Sequence, residues 1–307
     1  MAEERDNTKA EPGASTDSDE IEIAERTAVG CGRPHNEDCV QHYVPAESRV
    51  RARKGILCLV ADGMGGHRAG EVASREAVEQ VVRHYYGEMS RDVASSLSRA
   101  LRAANAAIGE RAEEDRSRTG MGTTLVGAAI RARQVLVANV GDSRAYHVGK
   151  RGIAQVTEDH SWVEEQVRAG FLTPDQARTH PQRNLVTRAL GTRPEIEIDL
   201  YEGVLGAGDC LVLCTDGLSN QVSDEEIEFA VRTHSPDEAA QVLLNLVKER
   251  GGRDDATVLV ARLAEEEGGH RKPTAPRAGA PVRTMLLLGA AVLLGLLALL
   301  LYLLPGM

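Results

Sequence analysis

Aromatic side chains are scarce in these 307 residues: one Trp, two Phe and six Tyr, or 3% of the chain. A protein that stacks nucleobases needs more of them. Positive charge is also in deficit, with 36 Lys and Arg against 46 Asp and Glu, a net of −10. A nucleic-acid binder would want a basic face to neutralise phosphates, so both shortages argue against that class. The five cysteines (Cys31, Cys39, Cys58, Cys210 and Cys214) lack CxxC spacing, and the nine histidines lack HExxH or any paired arrangement. Zinc sites and a disulfide framework are therefore disfavoured, in keeping with a reducing cytosol. The glycine-rich stretch near residue 63 has neither the P-loop lysine nor the GxGxxG order of a nucleotide loop. Residues 1–20 carry seven acids, two bases and no apolar stretch, so no signal peptide is expected and residues 1–22 read as a disordered acidic leader.

What the chain does have is one long uncharged run, Met285 to Leu304. At about 1.5 Å per residue, twenty helical residues span roughly 30 Å, the thickness of a bilayer's hydrocarbon core. A buried core helix would show a polar side, and this run is apolar all round. The expectation is a transmembrane helix over 285–304. Arg271, Lys272, Arg277 and Arg283 precede it and no basic residue follows, which places the preceding chain in the cytoplasm. Ala291 and Gly295 form a small-xxx-small pair, a spacing common by chance in such spans. Residues 265–284, charged and containing Gly and Pro, read as a flexible linker. Residues 265–307 have a net charge of +1, which leaves −11 on residues 1–264.

Residues 23–264 are enough for one sizeable core. Runs at 23–29, 39–44, 56–61, 123–130, 134–140, 144–148, 196–201, 209–215 and 256–263 read as strands. Helical periodicity appears in 71–86 and 92–112, and Thr173, Ser223 and Ser235 begin helix-capping patterns. Strands cluster with short turns between them and helices come in pairs, without strict alternation. That predicts an α+β fold, an antiparallel β-sandwich flanked by helix pairs in four layers (αββα), in contrast to a doubly wound parallel sheet. The runs 56–61 and 209–215 are apolar on both faces, so each sheet should be covered on both sides. Residues 157–194 read as a long irregular excursion, equally consistent with a functional loop and a solvated insertion.

The chemistry concentrates where apolar strands run into aspartates: Asp62-Gly63 after ILCLVA, Asp216-Gly217 after CLVLCT, and Gly141-Asp142 after VLVANV. Asp254-Asp255 precede the last strand and Asn36-Glu37-Asp38 the second. One such Asp is ordinarily a turn residue or helix cap. Five spread through the domain predict carboxylates converging at one end of the sheets, where they would need cations. An all-oxygen set selects Mg²⁺ or Mn²⁺ over zinc. Two such ions would activate a water and neutralise a phosphoryl group. Arg33, five residues before Asp38, could fork a phosphate, although a surface ion pair is the plainer reading of its spacing.

Seven motifs occur in order over residues 23–263: Gly30-x-x-Arg33-x-x-Asn36-Glu37-Asp38, Val60-Ala-Asp-Gly-Met-Gly-Gly-His67, Met121-Gly-Thr-Thr124, Gly141-Asp-Ser-Arg144, Asp159-His-Ser-Trp162, Thr215-Asp-Gly-Leu218 and Arg253-Asp-Asp-Ala-Thr257. In them the sequence resembles the type 2C (PPM) metal-dependent protein Ser/Thr phosphatases in their bacterial form. The resemblance implies that Asp38, Asp62 and Asp216 bind metal, with the carbonyl of Gly63, and that Asp254 completes the binuclear centre. Asp142 would hold a third, weaker ion, and Glu37 would act through bound water. Arg33 would bind the substrate phosphate, and His67 would protonate the leaving alkoxide. His160 and Trp162 fall in the family's substrate flap. The implied reaction is hydrolysis of phosphoserine and phosphothreonine in proteins by a hydroxide bridging two Mn²⁺ or Mg²⁺ ions. The implied partners are Ser/Thr kinases and their targets at the cytoplasmic membrane face. Two departures stand out: Ala28 where the family often has Asp, and Asp255 where it usually has Asn.

A catalytically silent module that binds phosphoproteins is the alternative, and it should have lost at least one carboxylate. A metal-dependent phosphodiesterase or nuclease is disfavoured by the acidic body and the few aromatics.

Overall fold

The computed structural model describes residues 20–65 and 69–265. The leader through residue 19, His67, residues 266–284 of the linker and the 285–304 run lie outside the described residues. Among the described residues no helix is long and apolar enough to cross a membrane.

Among the described residues, eleven antiparallel strands form two sheets. The first contains β1 (Ile21–Ala28), β7 (Arg144–Gly149), β8 (Gly152–Gln155), β10 (Cys210–Cys214) and β11 (Ala256–Leu263) in the order β1-β11-β10-β7-β8. The second contains β2 (Asp38–Tyr43), β3 (Ile56–Met64), β5 (Leu125–Arg131), β6 (Gln134–Val140) and β9 (Asp199–Val204) in the order β2-β3-β5-β6-β9, with the short β4 (Gly122–Thr123) paired to β3. The two-residue period of a strand explains why the central runs are apolar throughout. Leu57, Leu59 and Ala61 of β3 pack under α2 (Ala69–Gly87) and α3 (Val93–Glu114). Cys58 and Val60 point the other way and meet Leu211 and Leu213 of β10 between the sheets. Cys210, Val212 and Cys214 face α7 (Asp224–Thr233) and α8 (Pro236–Glu249). This is the expected α+β sandwich with helix pairs outside. All five cysteines are free, and Cys58, Cys210 and Cys214 are buried as small hydrophobes.

The helix starts are locally encoded. Thr173, Ser223 and Ser235 each close a full capping box, with Gln176, Glu226 and Glu238 reaching back to the cap's own N–H. Pro236 occupies the first turn of α8, where its missing N–H has no helical partner to lose. Ser235→Ala should cost about 1 kcal/mol in urea unfolding without changing activity. An unchanged unfolding midpoint would show that the cap contributes nothing.

Three expectations need correction. The stretch 157–194 is not irregular: it contains α4 (Trp162–Arg168), capped by Ser161, and α5 (Pro174–Thr179). The strand placed at 196–201 is β9 at Asp199–Val204, because its partner β6 ends at Val140 and the ladder begins at Asp199 opposite Asn139. Ile196 and Ile198 instead pack beside the α2–α3 core. Three short elements had no sequence signal strong enough to place them: α1 (Ser48–Lys54), α6 (Asp216–Ser219) and β8.

Candidate metal and phosphate site

Strand pairing alone brings two of the aspartates together. Asp38, the first residue of β2, is the register partner of Asp62 near the end of β3. The next residue, Gly63, sits where backbones crowd. A Cβ there would lie 2.1 Å from the carbonyl oxygen of Gly70 and 2.6 Å from that of Glu37, so no side chain fits. Thr124 donates its backbone N–H to the Asp62 carbonyl at 2.9 Å, and Asp62 donates its own to the Thr124 hydroxyl at 3.1 Å.

The other sheet closes the site from across the sandwich. Thr215 and Thr257 donate their hydroxyls to Asp38 Oδ2 at 3.0 and 2.6 Å. Asp216 opens α6 directly after β10, and Asn220 donates to its Oδ2 at 3.1 Å. Gly217 follows because Asp255 lies against it, its carbonyl oxygen 2.0 Å from where a Cβ would be. Asp142 ends the β6 turn, buried.

The electrostatics show how tightly these acids converge. Burial pushes the Asp38 carboxyl up to about 7, with Asp255 and Asp216 adding to the shift and the two threonine hydroxyls opposing it. Burial raises Asp62 well above the usual carboxylate range, followed by repulsion from Asp38, Asp216, Asp142 and Asp254. Asp142 is pushed up to about 8 by burial and by Asp216 and Asp159. Asp216 is raised by burial and then by Asp254. Five acids drawn from five distant stretches of sequence thus act on one another in one place.

Arg33 lies beside them. Its guanidinium pairs with Asp254, with Asp255 at 2.9 Å and with Glu37 at 3.6 Å. Burial alone would lower its pKa, but Asp254, Asp255 and Glu37 raise it, so the cation is secure. Glu37 is raised by burial, against the pull of Arg33.

Among the described residues, two buried carboxylate oxygens, Asp38 Oδ1 and Asp216 Oδ1, have no hydrogen-bond partner. A buried carboxylate oxygen left unpaired is costly, and a hard cation is the partner that an all-oxygen environment selects. The donor set therefore fits divalent metal. Among the described residues no three such side chains are already drawn together as the ligand set of a single ion.

Residues 36–255 match the family model of protein phosphatase 2C. The chain belongs to that family. Protein phosphatase PhpP of Streptococcus pneumoniae is 36% identical over 251 residues, covering 80% of this chain and 99% of the relative. The crystal structure of the Mycobacterium tuberculosis serine/threonine phosphatase PstP/Ppp superposes with a TM-score of 0.71 at 37% identity, covering 80% of this chain and 99% of that one. The PstP catalytic domain in complex with two manganese ions gives a TM-score of 0.70 at 36% identity, with the same coverage. The chain is accordingly an enzyme, a serine/threonine protein phosphatase.

In this phosphatase the flap residues singled out from sequence are placed differently from one another. His160 is buried. Its Nδ1 accepts from the Gly141 N–H at 3.0 Å, which leaves Nε2 to donate to Asp199 Oδ2 at 3.0 Å. Its backbone N–H also donates to the Gly141 carbonyl at 3.0 Å. His160 therefore pins the base of the flap to the turn that carries Asp142. Trp162 is half-buried and stacks against His180 at 4.9 Å, tying α4 to the residue that ends α5.

Sequence reasoning missed several groups that build the phosphatase site. Asp255 appeared as an acid before the last strand and as a departure, without a role, yet it accepts from Gly30 N, Glu37 N and Arg33 Nη1, at 2.8, 2.9 and 2.9 Å. Arg144 forks Asp159 at 2.7 to 3.0 Å, joining β7 to the start of the flap. Both residues lay inside quoted motifs, but nothing in spacing says which side chains meet. Thr215 and Thr257 also stood in motifs, and their shared contact with Asp38 is visible only once both sheets are in place.

Proposed function

We propose that this chain hydrolyses phosphoserine and phosphothreonine in proteins with two divalent ions, Mn²⁺ or Mg²⁺, held by Asp38, Asp62, the Gly63 carbonyl, Asp216 and Asp254. Asp142 supplies a third, weaker position. The observation that carries this reading is that Asp38 Oδ1 and Asp216 Oδ1 are buried and, among the described residues, without a hydrogen-bond partner, beside acids that raise one another's pKa. When bound, the ions supply an activated water at neutral pH and positive charge against the phosphoryl group. Arg33, held by Asp254, Asp255 and Glu37, binds and orients the phosphate through its planar fork. Glu37 orients water at the rim, and His67 protonates the leaving alkoxide. The intact carboxylate set is what a silent phosphoprotein-binding module would lack.

The substrates are phosphoproteins, including Ser/Thr kinases and their targets. The uncharged run at 285–304 and the basic residues before it support a single-pass protein with its catalytic domain, residues 23–264, on the cytoplasmic membrane face. The direct test is release of phosphate from a phosphothreonine peptide by the full chain with Mn²⁺. Turnover that survives EDTA would sink the metal reading.

The raised carboxyls also predict how stability depends on pH. Asp38 and Asp142 titrate near 7 and 8 in the fold, against an ordinary value of 3.8. The folded state therefore binds more protons than the unfolded one between about pH 4 and 8, and stability declines as pH rises through that window. In EDTA, denaturant unfolding should show a loss on the order of 5 kcal/mol from pH 5.5 to 8, about 2 from Asp38 and about 3 from Asp142, at about 1.4 kcal/mol per pKa unit. Saturating Mn²⁺ should reverse the slope, because the ions bind only the ionised carboxylates. A flat profile in EDTA would contradict the crowding of charge at this site.

A further inference from the structure

The end of the sandwich opposite the carboxylates has a different character. Four turns meet there, joined by backbone contacts. The chain after α1 abuts the β5–β6 turn, since a Cβ on Gly55 would lie 2.2 Å from the Ile130 carbonyl oxygen. That turn is tied to the β9–β10 connection by Leu205 donating to the Arg133 carbonyl at 2.8 Å. The connection is tied in turn to the end of β11 by Gly208 donating to the Leu263 carbonyl at 2.9 Å. Asp209 lies 3.2 Å from a Cβ position on Gly149, which adds the β7–β8 turn. The last described strand therefore ends at this face, and the chain leaves it at Glu265 toward the 285–304 run.

In a domain (residues 23–264) of net −5, these turns are basic. Residues 44–55 hold three arginines and a lysine against Glu47 alone, and the turns 131–134 and 149–152 hold four basic residues and no acid. Arg49, Arg51, Lys150 and Arg151 are exposed. Exposed apolar side chains stand among them: Val44 is 44% and Met89 75% accessible. Met89 belongs here because Tyr86, at the end of α2, donates its hydroxyl to the Gly55 carbonyl at 3.0 Å. The acids at this face are Glu20, Glu47, Glu88 (paired with Arg99), Asp92 (capping α3), Glu202, Asp209 (bonded to His147), Glu228 (paired with Arg232 beside the β7–β8 turn) and Glu265.

We infer that this face docks on an anionic lipid surface, with Arg49, Arg51, Lys150 and Arg151 against headgroups and Val44 and Met89 at the interface, so that the metal site points away from the bilayer. The inference rests on the membrane reading above. Basic side chains near an anionic leaflet are attracted within a Debye length, and apolar side chains among them add interfacial burial. Only twenty residues of sequence, 265–284, separate this face from the 285–304 run, so it is the face nearest that run along the chain. The opposite, carboxylate-rich end would be repelled by the same lipids.

The test uses the full chain in nanodiscs, in neutral phosphatidylcholine and in phosphatidylcholine with phosphatidylserine, read by hydrogen–deuterium exchange. Peptides covering 48–54 and 149–152 should exchange several-fold more slowly in the anionic discs, while flap peptides 162–185 should not change. The protection should vanish near 1 M salt, where the Debye length falls to about 3 Å, and in the quadruple variant R49E/R51E/K150E/R151E. Equal exchange in both lipids, or protection of the flap, overturns the docking face while leaving the anchor intact. Protection in neutral discs that grows with protein concentration would mark a contact between copies and also overturns it. Failure of the chain to enter discs at all overturns the membrane reading itself.

Discussion

Asp38→Asn should lower kcat/KM on a phosphothreonine peptide by more than about 100-fold, the upper end for a residue that merely supports a metal ligand. It should also abolish one Mn²⁺ site in calorimetry. The fold should not suffer. Asn keeps an oxygen to accept from Thr215 and Thr257, and it removes a charge whose burial raises the carboxyl to about 7. In EDTA at pH 8 the variant should therefore unfold at a denaturant concentration equal to or above wild type. That opposition, function lost while apo stability is kept or gained, is the signature of a ligand as distinct from a packing residue. A variant that lost stability and kept its metal would refute the assignment.

Asp255→Ala should produce the mirror-image outcome, a large cost to both stability and substrate binding. The buried carboxylate accepts from two backbone N–H groups, Gly30 and Glu37, and from Arg33. Removing it strands those donors, at about 1–3 kcal/mol for each buried unsatisfied group. A total loss of about 3 kcal/mol in urea unfolding is expected. Arg33 retains Asp254 and Glu37 but loses the partner that fixes its Nη1. KM for the phosphopeptide should therefore rise by roughly tenfold or more, with a smaller change in kcat, consistent with weaker orientation of the phosphate. Asp255→Asn should recover part of both, because one amide oxygen replaces two acceptor atoms and the amide NH₂ faces donors. In an Arg33→Ala background the added kinetic cost of Asp255→Ala should largely disappear. Additive effects in that cycle would show that Asp255 does not act through Arg33.

Much of the fold was legible along the chain because its signals are local. Period-two apolar runs marked the strands, and β6 and β11 agree with the sequence reading residue for residue. Capping boxes at Thr173, Ser223 and Ser235 marked helix starts, since a cap needs only residues three apart. Short elements escaped. α1 spans seven residues, four of them basic, and α6 only four, too few for periodicity to register. The start of β9 was misjudged because a ladder begins where its partner ends, and that partner lies some sixty residues away in sequence.

The site divides along the same line. The identities of its acids were readable, since a carboxylate after a buried apolar strand is expensive unless something answers it. Their resemblance to the phosphatase motifs then pointed to metal-dependent phosphate chemistry. What the chain could not say by itself was which groups hold those acids. Asp255 lies more than two hundred residues from Gly30, Arg33 and Glu37, and Thr215 and Thr257 meet Asp38 across the gap between two sheets. His160, read as a flap residue beside the substrate, is locked between Gly141 and Asp199 by both ring nitrogens. Sequence by itself determined the chemistry available, because side-chain type sets charge, ligand hardness and burial cost. Only the tertiary structure decided which of those groups share a desolvated space. It also set a basic face at the opposite end of the sandwich. Both follow from strand register and sheet packing, which bring together residues that chain distance keeps apart.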